Sequence, residues 1–137
     1  MAAKASKVSF VLMMIAGIII LLWGVAHMVP TRSVVDGLGL YDLDSERIVT
    51  MEWVAEGFTL IFLGVLLMFL APYVAVGNTV ARGATLLSVL MLVAMAIWVG
   101  ATGARTEMIF FKICPFVKSL CALLALVAAW IRIGNKE

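Results

Sequence analysis

WVAEGFTLIFLGVLLMFLA, residues 53–71, is the stretch that decides the fold. It carries one charged residue, Glu56, and no proline. As a helix rising about 1.5 Å per residue it spans roughly 28 Å, close to the ~30 Å thickness of a bilayer core. A strand reading fails, because a membrane barrel needs segments of about ten residues with strict apolar–polar alternation. Here the apolar run is continuous. Three more runs of the same kind lie at 8–29, 83–103 and 109–133.

The whole chain agrees with this stretch. Of its 137 residues 65% are hydrophobic, mean hydropathy is +1.18, and only 13% are charged. Soluble domains carry about 25% charged residues, and one of this length could not bury so much apolar surface. In lipid every backbone polar group must be satisfied within the chain, which leaves helices. The expected fold is all-α: an integral membrane four-helix up-down bundle, with residues 1–137 as a single transmembrane domain. The helices are expected at about 8–29, 45–71, 83–103 and 109–133. The second starts ahead of its apolar run because Asp44 or Ser45 can N-cap it and Glu46 suits the positive end of a helix.

Punctuation residues set the connections. Pro30 disfavours helix at the residue before it, so the first helix ends near His27 to Val29. Residues 31–44 form the longest connection. Asp36 to Gly39 is turn chemistry, but Val34, Val35, Leu38, Leu40, Tyr41 and Leu43 predict a segment lying at the interface or folded over the bundle as a cap. Pro72 is expected to end the second helix, and Gly77, Asn78 and Thr79 to make the next turn. Pro115 interrupts the fourth helix early. Gly17 with Gly24, and Gly57 with Gly64, are seven apart and share a helix face, so the first two helices are expected to pack closely through them. Ala122, Ala125, Ala128 and Ala129 form a second small-residue seam. Trp23, Trp53, Trp98, Trp130 and Tyr73 fall mostly near the ends of runs, where an aromatic belt sits.

The first run follows Lys4 and Lys7, and Gly24-Val25-Ala26 has the spacing of a signal cleavage site. At about twenty residues it exceeds a normal signal core, so it reads as a retained helix. With an even helix count both termini share a side. That side holds Lys4, Lys7, Arg82, Arg132 and Lys136; the other holds Arg32, Arg47, Arg105, Lys112 and Lys118. The basic residues tie. Every acid except Glu137 lies on the second side. Acids weigh little in topology, and the basic cluster before the first helix decides: both termini are expected in the cytoplasm. The expected location is a bacterial or archaeal plasma membrane.

One polar constellation stands out. The end of the first helix, the start of the second, the end of the third and the start of the fourth meet on one side of an up-down bundle. They carry His27, Glu52, Glu56, Arg105, Glu107, Lys112 and Lys118. Glu52 and Glu56 are i, i+4 and share a face, as do Trp23 and His27. Lys118 lies roughly 15 Å along its helix. Charges at such depth face the bundle interior or water, so Glu56 is expected to pair with Lys118, with His27 near the mouth of the cluster. Three readings remain open. The cluster is structural; or His27, Glu52, Glu56 and Lys118 bind an apolar small molecule in a cleft open to the non-cytoplasmic side; or a Glu–His pair does acid–base or proton chemistry.

Other chemistry is excluded or unsupported. Cys114 and Cys121 are seven apart on one face, about 10 Å along the axis, beyond disulfide reach. They read as small buried residues, with an intermolecular bridge or redox role as the alternative. There is no zinc spacing, dinuclear Glu-x-x-His pair, phosphate loop or nucleophile triad, so no metal, no cofactor and no nucleic-acid partner is expected. No acid reaches the centre of a helix, which argues against a proton-driven pump.

Residues 17–30 (GIIILLWGVAHMVP), 53–64 (WVAEGFTLIFLG) and 81–96 (ARGATLLSVLMLVAMA) resemble the DoxX-like group of small four-helix membrane proteins. The resemblance lies in a glycine-punctuated first helix closing on a polar residue and proline, and a second opening with an acid and glycine. It implies a four-helix bundle and an accessory role in a redox or respiratory membrane system, and transfers no catalytic residues. The expected function is a non-enzymatic membrane subunit or an apolar-ligand-binding protein, partnered by lipid, by another membrane subunit or by copies of itself. The alternative is a small membrane enzyme or ion-handling protein using Glu56 and His27.

Overall fold

The computed structural model describes residues 6–131, and these are helical with no strand among them. Lys4, Arg132, Lys136 and Glu137, used above for orientation, lie outside the described residues. The helices are α1 (Lys7–Met28), α2 (Thr31–Gly37), α3 (Leu43–Ala75), α4 (Thr79–Ala101) and α5 (Ile109–Ile131), with a 3-10 turn at Gly103–Arg105 before α5. α1, α3, α5 and the α4 segment through Arg105 are each long and apolar enough to cross a membrane. They fit a multi-pass integral membrane protein. Phe58, Phe62 and Phe69 of α3, Leu87, Leu90 and Ile97 of α4, and Phe116 and Leu123 of α5 all point outward. An outer surface this apolar suits lipid and not water.

α1 is the central member, packed against α3 on one side and α5 on the other, while α4 rests mainly on α5 and touches α3 sparingly. The start of α1 lies against the ends of its neighbours. Ser6 N–H donates to Ala75 O at 2.9 Å, and buried Ser9 Oγ donates to Ala128 O at 2.6 Å. Ala122, Ala125, Ala128 and Ala129 are all buried, as their spacing predicts.

The α1–α3 contact is set by glycine. A Cβ built on Gly64 would lie 2.6 Å from Leu21 N and 2.8 Å from Gly17 O; one on Gly24 would lie 2.8 Å from Ile61 N. These neighbours are backbone, which cannot swing aside, so only glycine permits this approach. Gly83 on α4 has nothing within 4 Å of its virtual Cβ. Gly83→Ala should therefore raise stability by about 0.5 kcal/mol through the lower entropy of the unfolded chain. Unfolding in mild detergent checks this, and a loss of stability would mean that the α4 face is covered.

Four boundaries differ from expectation. α3 runs through Pro72 to Ala75. Pro72 removes one backbone bond, but buried Ala71, Val74 and Ala75 hold the last turn onto the bundle. Gly77, at φ 83°, ends the helix; its N–H bonds Val74 O at 3.0 Å and Asn78 N–H bonds Tyr73 O at 3.0 Å, giving the last carbonyls their partners. α4 consequently starts at Thr79 and not near Arg82, with the Asn78 side chain accepting from Ala81 N–H at 2.9 Å. The N-cap of α3 is Asp42, not Asp44 or Ser45: its carboxylate accepts from Ser45 N–H at 2.8 Å. The Ser45 side chain and backbone together hold the Asp42 carboxyl below its usual range. α3 is thus 33 residues long, about 50 Å, and its first turns stand beyond the apolar run. Finally, part of the long connection is helix. α2 buries Val34 and Val35 as a cap, whereas Tyr41 and Leu43 are exposed.

Candidate functional site

The sites of interest lie where the end of α1, the first half of α3 and the start of α5 meet. Pro30 closes α1 just after His27, and Thr31 Oγ1 donates back to Met28 O at 2.5 Å, which fixes where His27 sits. The Trp53 indole N–H donates to His27 O at 2.8 Å, satisfying a carbonyl at the helix end. The two rings stack, with centroids 3.8 Å apart and planes 18° apart. Phe111 of α5 meets Trp53 edge-on at 5.2 Å. Together these contacts tie α1, α3 and α5 around one point.

Glu56 lies one turn beyond Trp53 on α3. Lys118, one turn past Pro115, reaches it from α5 and is completely buried. Its ammonium is bonded to Glu56 Oε1. The other carboxylate oxygen, Oε2, is 3.7 Å from His27 Nε2, which has no hydrogen-bond partner among the described residues. Cys114 is one turn before Lys118 on the same face. Its thiol lies 3.9 Å from Glu56 Oε1 and accepts the Trp23 indole N–H at 3.4 Å. Lys118, Cys114 and His27 thus converge on a single carboxylate, and the buried cation is neutralised by it. Two isolated charges at this depth would each cost several kcal/mol; paired, they are tolerable.

On its other side Glu56 faces a cavity. Its side chain is 22% exposed, into a space of about 490 Å³ between α3 and α4. Glu52, Ala55 and Thr59 form the α3 wall and Met95, Trp98 and Val99 the α4 wall, and Val34 of α2 and Leu38 just after it complete the lining on that side. α3 and α4 pack only loosely against each other, and the cavity lies between them. Its volume falls within the range of small-molecule sites, about 300–1,000 Å³.

The four sequence-picked residues therefore divide. Glu56 and Lys118 form the expected pair. His27 joins them, but it is 5% exposed and sits behind Trp53, not at the mouth. Glu52 lines the cavity one turn from Glu56 and takes no part in the ion cluster. Lys112 and Glu107 make only a surface contact at 3.9 Å. Five residues of the site carry no role in the sequence reading: Trp53, buried here and not in a belt, Cys114, and the α4 residues Met95, Trp98 and Val99. Cys114 is i−4 from Lys118 and Trp53 is i−3 from Glu56, so helical spacing carried the signal for both. The α4 wall had none, since its residues are apolar and only packing says which side they face. No family profile matches the chain, and no curated protein or solved structure matches it.

Proposed function

We propose that this chain crosses a prokaryotic plasma membrane four times as an up-down bundle, with both termini cytoplasmic and the cavity toward the opposite face. It holds a small apolar molecule there, as a binding protein or as a non-enzymatic subunit of a larger membrane assembly. Membership of the DoxX-like group and association with a redox partner or a second copy belong to the same proposal. Its main support is the partly exposed Glu56 carboxylate, anchored from behind by fully buried Lys118 and presented to an otherwise largely apolar cavity. A pocket of this size with a few convergent polar groups in an apolar lining is the usual form of a small-molecule site. Acid–base chemistry is the second reading, favoured by the unbonded His27 Nε2 beside Glu56 Oε2.

Thr59→Phe tests the cavity without touching the ion pair, because Thr59 lines it one turn past Glu56 and is only partly buried. Native mass spectrometry of protein from mild detergent should find a small-molecule adduct on the parent chain, and Thr59→Phe should lose it while unfolding at the same temperature. An adduct retained in full by the variant would place the ligand elsewhere. A bare parent chain that co-purifies with another membrane protein would leave the subunit reading alone.

A further inference from the structure

We infer that the molecule held between α3 and α4 is an organic cation with an apolar body, such as an amphiphilic amine or quaternary ammonium, and that Glu52 selects its charge. This rests on the cavity reading above. Glu56 is already matched by Lys118, which approaches from behind and is wholly buried. Glu52 is exposed, stands one turn away on the same wall, and has no ion-pair partner among the described residues. No lysine or arginine lines the cavity. The uncompensated charge facing the ligand is therefore negative.

The rest of the lining fits the same class. Trp98 is 72% exposed on the α4 wall, while Trp53 and Phe111 close the inner side. Aromatic faces attract cations as well as apolar groups, most strongly where water is scarce. The remaining walls are apolar and suit a hydrocarbon body. An anionic ligand such as a fatty acid would set its charge against Glu52, a like-charge contact that disfavours it. His27 lies behind Glu56, outside the cavity lining. It is more than nine-tenths buried, its Nε2 has no hydrogen-bond partner among the described residues, and it is aimed at Glu56 Oε2. That oxygen, unlike Oε1, carries no bond from the lysine.

Tetraphenylphosphonium and tetraphenylborate test the charge at nearly constant shape, with triphenylphosphine oxide as a smaller neutral reference. Binding of each to the intact protein in a non-ionic maltoside micelle is followed by tryptophan fluorescence. Phosphonium should bind saturably and at least about tenfold more tightly than borate or the neutral oxide. Glu52→Gln should weaken phosphonium about tenfold and leave the oxide unchanged. Thr59→Phe should remove binding of all three. Equal binding of the three probes, or a Glu52→Gln variant that still prefers the cation, overturns the inference while leaving the cavity reading intact. If no probe binds saturably, both fall. Should the phosphonium bind as expected, lipid extraction of the purified protein separates the sources: an amine-bearing lipid recovered at stoichiometry identifies a membrane component, and its absence a soluble cation.

Discussion

Glu56→Gln will destabilise the folded chain by about 3 kcal/mol, because it strands a fully buried ammonium. Lys118 has no water to turn to: it is 0% exposed, and its one anionic neighbour among the described residues is Glu56. A glutamine can accept a hydrogen bond but cannot neutralise the charge. The value is at the lower end for such losses since the Glu56 side chain is 22% exposed, so the original pair is partly screened. Lys118→Met alone should cost less, because the carboxylate left behind still faces the cavity and its water. The double variant Glu56→Gln with Lys118→Met should recover most of the stability, as apolar replacements of buried ion pairs commonly do. Reversible unfolding in mild detergent measures all three. A Glu56→Gln cost below about 1 kcal/mol, the scale of exposed pairs, would mean that water reaches the lysine. The variant also fixes how ligand data are read: a loss of binding in Glu56→Gln mixes folding with recognition, whereas Glu52 and Thr59 variants do not.

The second large effect belongs to the α1–α3 seam. Gly64→Ala should cost at least about 2 kcal/mol, and Gly64→Val should prevent α1 from docking on α3. The added Cβ would sit 2.6 Å from Leu21 N, 2.7 Å from Leu21 Cβ and 2.8 Å from Gly17 O. Relief requires one whole helix to move outward by several tenths of an ångström. That movement also pulls on the Trp53–His27 contact at the far end of the same interface. The same unfolding assay, with intrinsic fluorescence reporting the Trp53 environment, should therefore register both a lower midpoint and a spectral shift. A Gly64→Ala chain as stable as its parent would show that the two helices are not held at this distance. Gly83→Ala, in open space on α4, is the control.

Much of this architecture was legible because bilayer thickness leaves few choices. An apolar run such as 53–71 can only be a helix of about the right length, and small residues seven apart can only make one close face. The pairing of Glu56 with Lys118 was legible for a related reason: two opposite charges placed deep in apolar runs have nowhere cheaper to go. Errors gathered at helix ends. Pro72 looked like a terminus, but one lost hydrogen bond weighs less than the burial of Ala71, Val74 and Ala75, and a glycine five residues on could end the helix better. Trp53 looked like an interfacial anchor. It is instead buried, because its indole N–H has a carbonyl to bond and its ring has His27 to stack on.

By itself, the sequence determined that the chain forms four long apolar helices, that α1 and α3 meet through glycine, and that Glu56 and Lys118 belong together. These follow from hydrophobic period, side-chain size and charge, which are properties of single segments or of one strongly favoured pair. Only the tertiary structure decided that α1 stands between α3 and α5, that α3 and α4 part far enough to leave a cavity, and that Glu52 faces it while His27 does not. Those outcomes depend on how several helices share one volume. Many arrangements satisfy the same local patterns, and the sum of close packing over all the faces selects among them.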